Sequence, residues 1–192
     1  MCCETPTRWP TEHQRLVLVV AVEVHPTLDP RLHYRAGMSH EGHPAGGEGT
    51  AFTFQVVIDC QDPHVLADWW AETLRWVVEP QDEAFIRSMI DQGRATDADT
   101  TQFRGKLVWR EGAAIHPDSE PSPGRSRILF QLVPETKTVK NRVHLDIRVG
   151  GDDVEAVRDQ LVSRGATVLY EGRQGPHTWL TMADPEGNEF CV

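Results

Sequence analysis

Two stretches of this chain state the same pattern, a period-two alternation followed by a helical spacing of apolar residues. From Phe52 to Cys60 (Phe-Thr-Phe-Gln-Val-Val-Ile-Asp-Cys) apolar side chains recur at every second position, which predicts a strand. Gln61-Asp62-Pro63 supplies a turn that opens a helix, and Val65, Leu66, Trp69, Trp70 and Leu74 fall on one face of it. Arg142 to Val149 alternates in the same way, Gly150-Gly151-Asp152 turns, and Val154, Val157 and Leu161 mark a second helical face. The endings also match: Ile128–Val133 follows Pro123-Gly124, and Glu189–Val192 follows Asp184-Pro-Glu-Gly-Asn188. Val77-Val78 with Lys106–Trp109, and Thr167–Tyr170 with Thr178–Met182, are the expected middle strands. Asp82–Gly93, with Phe85, Ile86, Met89 and Ile90 on its apolar side, is an inserted helix. The chain therefore reads as α+β, two βαβββ units at about 52–134 and 142–192, joined by Pro134–Asn141.

The pattern is absent upstream. Residues 1–50 carry Pro6, Pro10, Pro26, Pro30 and Pro44 and the glycines 42, 46, 47 and 49, and they read as an irregular, largely disordered extension to a 51–192 domain. Leu16–Val24 leans toward an isolated strand. His40 and His43 stand three apart among glycines, without the helical spacing of a zinc-protease pair, so a solvated tail is the expectation. Met38 is a candidate biological start, which would leave residues 1–37 out of the mature protein.

Composition narrows the partners. With 29 acidic against 19 basic residues the formal charge is −10, which repels phosphate backbones and anionic lipid and leaves a small-molecule ligand as the expectation, with no nucleic acid and no membrane. The apolar run Leu16–Val22 is much shorter than a membrane span. Cys2, Cys3, Cys60 and Cys191 have no paired spacing, which points to a reducing cytoplasm.

Alternation also sorts side chains by face. Val143, Leu145, Ile147 and Val149 suit the helix side of their strand, which leaves His144, Asp146 and Arg148 together on the other side. A row of polar groups on a strand needs water, a ligand or internal pairing, and an Asp146–Arg148 ion pair is the plain expectation. Parity likewise groups Gln55, Val57 and Asp59, then Leu129, Gln131 and Val133, then Glu189 with Cys191. The bland alternatives are a satisfied strand histidine at 144, Gln55 and Gln131 bonded to each other, and Cys191 as a small buried hydrophobe. Trp69, Trp70 and Trp76 read as core, while Trp109 or Trp179 can line a binding face.

The duplicated units, Val57-Ile-Asp-Cys-Gln-Asp-Pro63, the helix bearing Trp69-Trp70 and the closing Asp184-Pro-Glu-Gly-Asn-Glu-Phe-Cys-Val192 together resemble the glyoxalase-like members of the vicinal oxygen chelate superfamily over about three quarters of the chain. That resemblance implies two units pairing into a curved mixed-sheet cup, helices outside and ligand inside, closed within one chain or across a homodimer. It places Gln55, Gln131, His144 and Cys191 at ligand positions, although relatives carry carboxylates where Gln131 and Cys191 stand. It implies a divalent metal (zinc, nickel, manganese or iron) at His144, Gln55 and Glu189 or Cys191, chelating adjacent substrate oxygens, with Glu189 as the catalytic proton-transfer group when it is not a ligand. Two functions follow: a metal-dependent lyase or isomerase, or a non-catalytic protein that sequesters an antibiotic or metabolite through Gln55, Gln131, His144, Arg148 and Cys191.

Overall fold

The structure, a computed structural model, describes residues 54–118 and 126–192. The expected Leu16–Val24 strand, the His40/His43 pair, the start at Met38, Cys2 and Cys3, the first residues of the opening strand and the Pro123-Gly124 turn lie outside the described residues.

Strand β1 (Val56–Cys60) leads into helix α1 (Pro63–Leu74). Asp62 caps that helix by accepting from the Val65 amide, Pro63 occupies its first turn, and Arg75 ends it in the left-handed conformation at φ 55. Next come β2 (Val77–Val78), α2 (Glu83–Asp91), a single 3-10 turn, the hairpin β3 (Thr100–Phe103) and β4 (Lys106–Trp109), then β5 (Gly112–His116) and β6 (Ile128–Leu132). The second half is shorter: β7 (Leu145–Asp146), α3 (Val154–Ser163) capped by Asp153, β8 (Thr167–Gln174), β9 (His177–Ala183) and β10 (Glu189–Cys191).

The halves repeat one topology. The first sheet runs β1-β6-β5-β2 and the second β7-β10-β9-β8, so in each the opening strand pairs in parallel with the last and the middle strands follow antiparallel. The third strand of the first sheet is β5, whereas Lys106–Trp109, expected there, pairs only with β3 in a separate hairpin. Its turn is Arg104-Gly105, with φ of 50 and 77, the doubly left-handed geometry of a two-residue hairpin loop.

One hydrophobic core serves both sheets. Val56, Ile58 and Cys60 of β1, Ile128 and Phe130 of β6, Leu180 and Met182 of β9, Phe190 of β10 and Leu161 of α3 meet around Trp69 and Trp70. The two indoles and Phe190 pack edge to face with centroids 5.2 to 5.9 Å apart. Trp69 and Arg164 are linked three times: Trp69 Nε1 donates to the Arg164 carbonyl at 2.9 Å, Arg164 Nη2 donates to the Trp69 carbonyl at 2.5 Å, and the guanidinium lies 5.1 Å from the ring centroid.

The closing motif ties the halves together. The Asp184 carboxylate, only 3% exposed, accepts from Trp70 Nε1 at 3.0 Å and from the amides of Glu186 and Asn188 at 3.0 and 2.9 Å. Glu186 accepts from the amides of Gln61 and Asp62 at 2.7 and 2.9 Å, just before α1. Gly187 sits at φ +90, where a side chain would be strained. Among the described residues no helix is long and apolar enough to cross a membrane.

Candidate functional site

With Leu145, Phe190 and Met182 turned into the core, strand alternation sends their neighbours to the opposite face of the second sheet. Register aligns Asp146 with Cys191, Cys191 with Thr181 and Thr181 with Tyr170, a row that crosses all four strands. His144 stands one strand step from Asp146, its Nε2 lying 3.3 Å from Asp146 Oδ1. The Cys191 thiol is buried and 3.7 Å from Thr181 Oγ1. One ligand atom from each of His144, Asp146 and Cys191 falls within 4.8 Å of the others.

Burial pushes the Cys191 thiol above its ordinary value and the nearby Asp146 carboxylate adds to this, against a lowering bond from Thr181. A neutral thiol of this kind is a poor nucleophile but becomes a strong ligand once a cation displaces its proton. Imidazole, carboxylate and thiolate together suit zinc, nickel or iron(II). The donor set thus fits a divalent metal, with Asp146 in the carboxylate role.

The other expected residues are placed differently. Gln55 is exposed, and its Oε1 accepts from Arg127 Nη1 at 2.6 Å; Arg127 in turn makes a two-pronged pair with Glu79. A guanidinium on that oxygen repels a metal ion. Glu189 gives one carboxylate oxygen to Lys137 Nζ and the other to the Asn141 amide, each at 3.0 Å. Burial alone would raise its pKa, but those two bonds hold it below the usual carboxylate range. Gln131 is half-buried beside Asp59. The Asp146 carboxylate pairs with His144 rather than with Arg148, which is exposed and makes no hydrogen bond or ion pair among the described residues.

Register also explains why the first sheet offers no imidazole to match His144. Asp59 pairs with Gln131 as Asp146 pairs with Cys191, which makes Val57, not Gln55, the positional counterpart of His144. Asp146 is the site residue that the sequence left in another role; its signal was the shared parity with His144.

These features define a class: an α+β protein of two like-ordered sheets on a common core, with a donor cluster on the face away from the helices. The glyoxalase-like domain family matches residues 55–192, and the chain belongs to that family, within the vicinal oxygen chelate superfamily. Among solved structures it is similar to a glyoxalase family protein from Bacillus cereus, at 15% identity and TM-score 0.47 over 77% of this chain and 96% of that one. It is also similar to a glyoxalase/bleomycin resistance protein/dioxygenase family enzyme from Burkholderia phytofirmans, at 16% identity and TM-score 0.40 over 72% and 94%. The trypanothione-dependent glyoxalase I of Leishmania major shares 12% identity at TM-score 0.43 over 74% and 85%. No curated protein matches the chain significantly.

Proposed function

We propose that this protein binds a small organic molecule bearing adjacent oxygens on the polar face of the second sheet, through a divalent metal held by His144, Asp146 and Cys191. The observation that carries this reading is the convergence of those three donor atoms within 4.8 Å. When bound, the ion supplies a Lewis acid that grips and polarises the two oxygens. The chain supplies the rest: Thr181 holds the thiol in the row, and Arg148, which makes no hydrogen bond or ion pair among the described residues, offers a cation for a ligand anion.

Capture is better supported than turnover. A lyase or isomerase needs a proton acceptor, and Glu189, the residue the resemblance put in that role, has both oxygens bonded and a lowered pKa. If Glu189 does move protons, it must first leave Lys137.

Calorimetric titration of the full chain with zinc, nickel, manganese and iron(II) tests the site. We expect one ion per chain, with Asp146→Asn and His144→Ala each weakening binding by about tenfold or more and Gln55→Ala leaving it unchanged. Equal weakening by Gln55→Ala, or no uptake of any of the four ions, overturns the proposal.

A further inference from the structure

We propose that β8 is a dimer edge: two copies of the chain pair antiparallel through it, about a two-fold axis at Gly172, and join their second sheets into one. The pairing needs no metal. β8 is the edge of its sheet opposite β7, so the pairing leaves the donor cluster on the β7 side uncovered.

β8 is 8 residues long and 7 of them are exposed, Val168, Leu169 and Tyr170 included. Among the described residues no other edge strand is as long, and β2, which holds the same place in the first sheet, has 2 residues. Chains that stay single keep such edges short, or blunt them with lysine, proline or a bulge. A register shift does interrupt the β8–β9 ladder between Val168 and Tyr170. From Tyr170 to Gln174, however, the ladder is unbroken, and that stretch contains no lysine or proline.

The ladder also fixes where the free backbone groups point. Leu180 of β9 exchanges both of its backbone bonds with Val192, on the side away from β8, at 3.0 and 2.9 Å. Its β8 partner Glu171 therefore turns N–H and C=O to the open edge, and so does Arg173 two residues on. A second copy can bond only in registers that match these outward residues to each other. An axis at Glu171 opposes two carboxylates, and an axis at Arg173 opposes two guanidinium groups. An axis at Gly172 instead sets Glu171 of each chain against Arg173 of the other, with both backbone bonds of each pair made. The two side chains are exposed and share a face, and neither is held in an ion pair among the described residues. The Arg173 guanidinium meets only the Gly175 carbonyl, at 3.2 Å.

Sedimentation equilibrium on the full chain tests the edge, with circular dichroism to verify that each variant folds. We expect the unaltered chain to dimerise, and Glu171→Arg and Arg173→Glu each to raise the dimer dissociation constant about tenfold or more, because either reversal alone sets like charges together. An equimolar mixture of the two variants should dimerise again, since unlike chains restore the opposite pairing, and the double variant Glu171→Arg/Arg173→Glu should dimerise by itself. An unaltered chain that stays monomeric through the concentration series overturns the proposal. So does a dimer that both single reversals leave unchanged, or a mixture no more dimeric than its components.

Discussion

Asp184 shows what a single residue does in this fold. Its carboxylate is buried and takes hydrogen bonds from an indole, two amides and the Asn188 side chain, so removing it strands the buried Trp70 donor and unties the closing turn. We expect Asp184→Ala to cost about 3 kcal/mol of stability in urea unfolding; a loss below about 1 kcal/mol would show that the clamp between the halves is weak. The sequence marked the Asp-Pro-Glu-Gly-Asn run as a turn, but nothing local could show that its acid meets Trp70 at the far end of the chain. Cys60 makes a second point. Burial, then the Glu186 carboxylate, pushes its thiol far above its ordinary value. A group whose folded pKa is raised stabilises the protein below its unfolded pKa and withdraws that stability as pH climbs past it. Stability should therefore fall above about pH 9 through this thiol, and Cys60→Ala should flatten that alkaline limb of a denaturation series. An unchanged limb would place the titration elsewhere. Asp146 was legible as a polar-face residue but not in its partner, because His144 and Arg148 stand equally far from it along a strand and parity cannot choose between them.

At the scale of elements, period-two alternation carried most of the information. It identified β1 and β7 and their faces, because each has an apolar side and a polar side, whereas β6, with three consecutive buried apolar residues, and β10 were read from the turn residues ahead of them. It failed at β5, where Gly112-Ala113-Ala114-Ile115 has small residues buried on both faces and no alternation to read. It failed again at β3, Thr100-Thr-Gln-Phe103, whose hairpin partner was assigned to the main sheet. The Arg104-Gly105 loop lacks the asparagine or aspartate that usually marks such a turn. Gly105 has open space where a Cβ would go but sits at φ +77, so Gly105→Ala tests conformation without steric overlap. We expect it to cost about 1 kcal/mol, read as a lowered melting temperature. No shift would mean that the hairpin is not held in the left-handed geometry.

Over the whole molecule, duplication was plain from sequence, and both sheets share the strand order first, last, third, second. The alignment of the two opening strands was not plain. Asp59 lies four residues before α1 and Asp146 eight before α3, so distance to the following helix does not align the two opening strands or show that Val57, not Gln55, is the counterpart of His144. Only hydrogen-bond register does. The proposed site is one-sided: the second sheet and the residue leading into β7 supply an imidazole, a carboxylate and a thiolate. Cobalt(II) absorption tests it most directly. Bound cobalt should show a sulfur-to-metal charge-transfer band in the near ultraviolet that disappears in Cys191→Ser and persists in Gln55→Ala. Cobalt bound without that band, or a band that survives in Cys191→Ser, would contradict it.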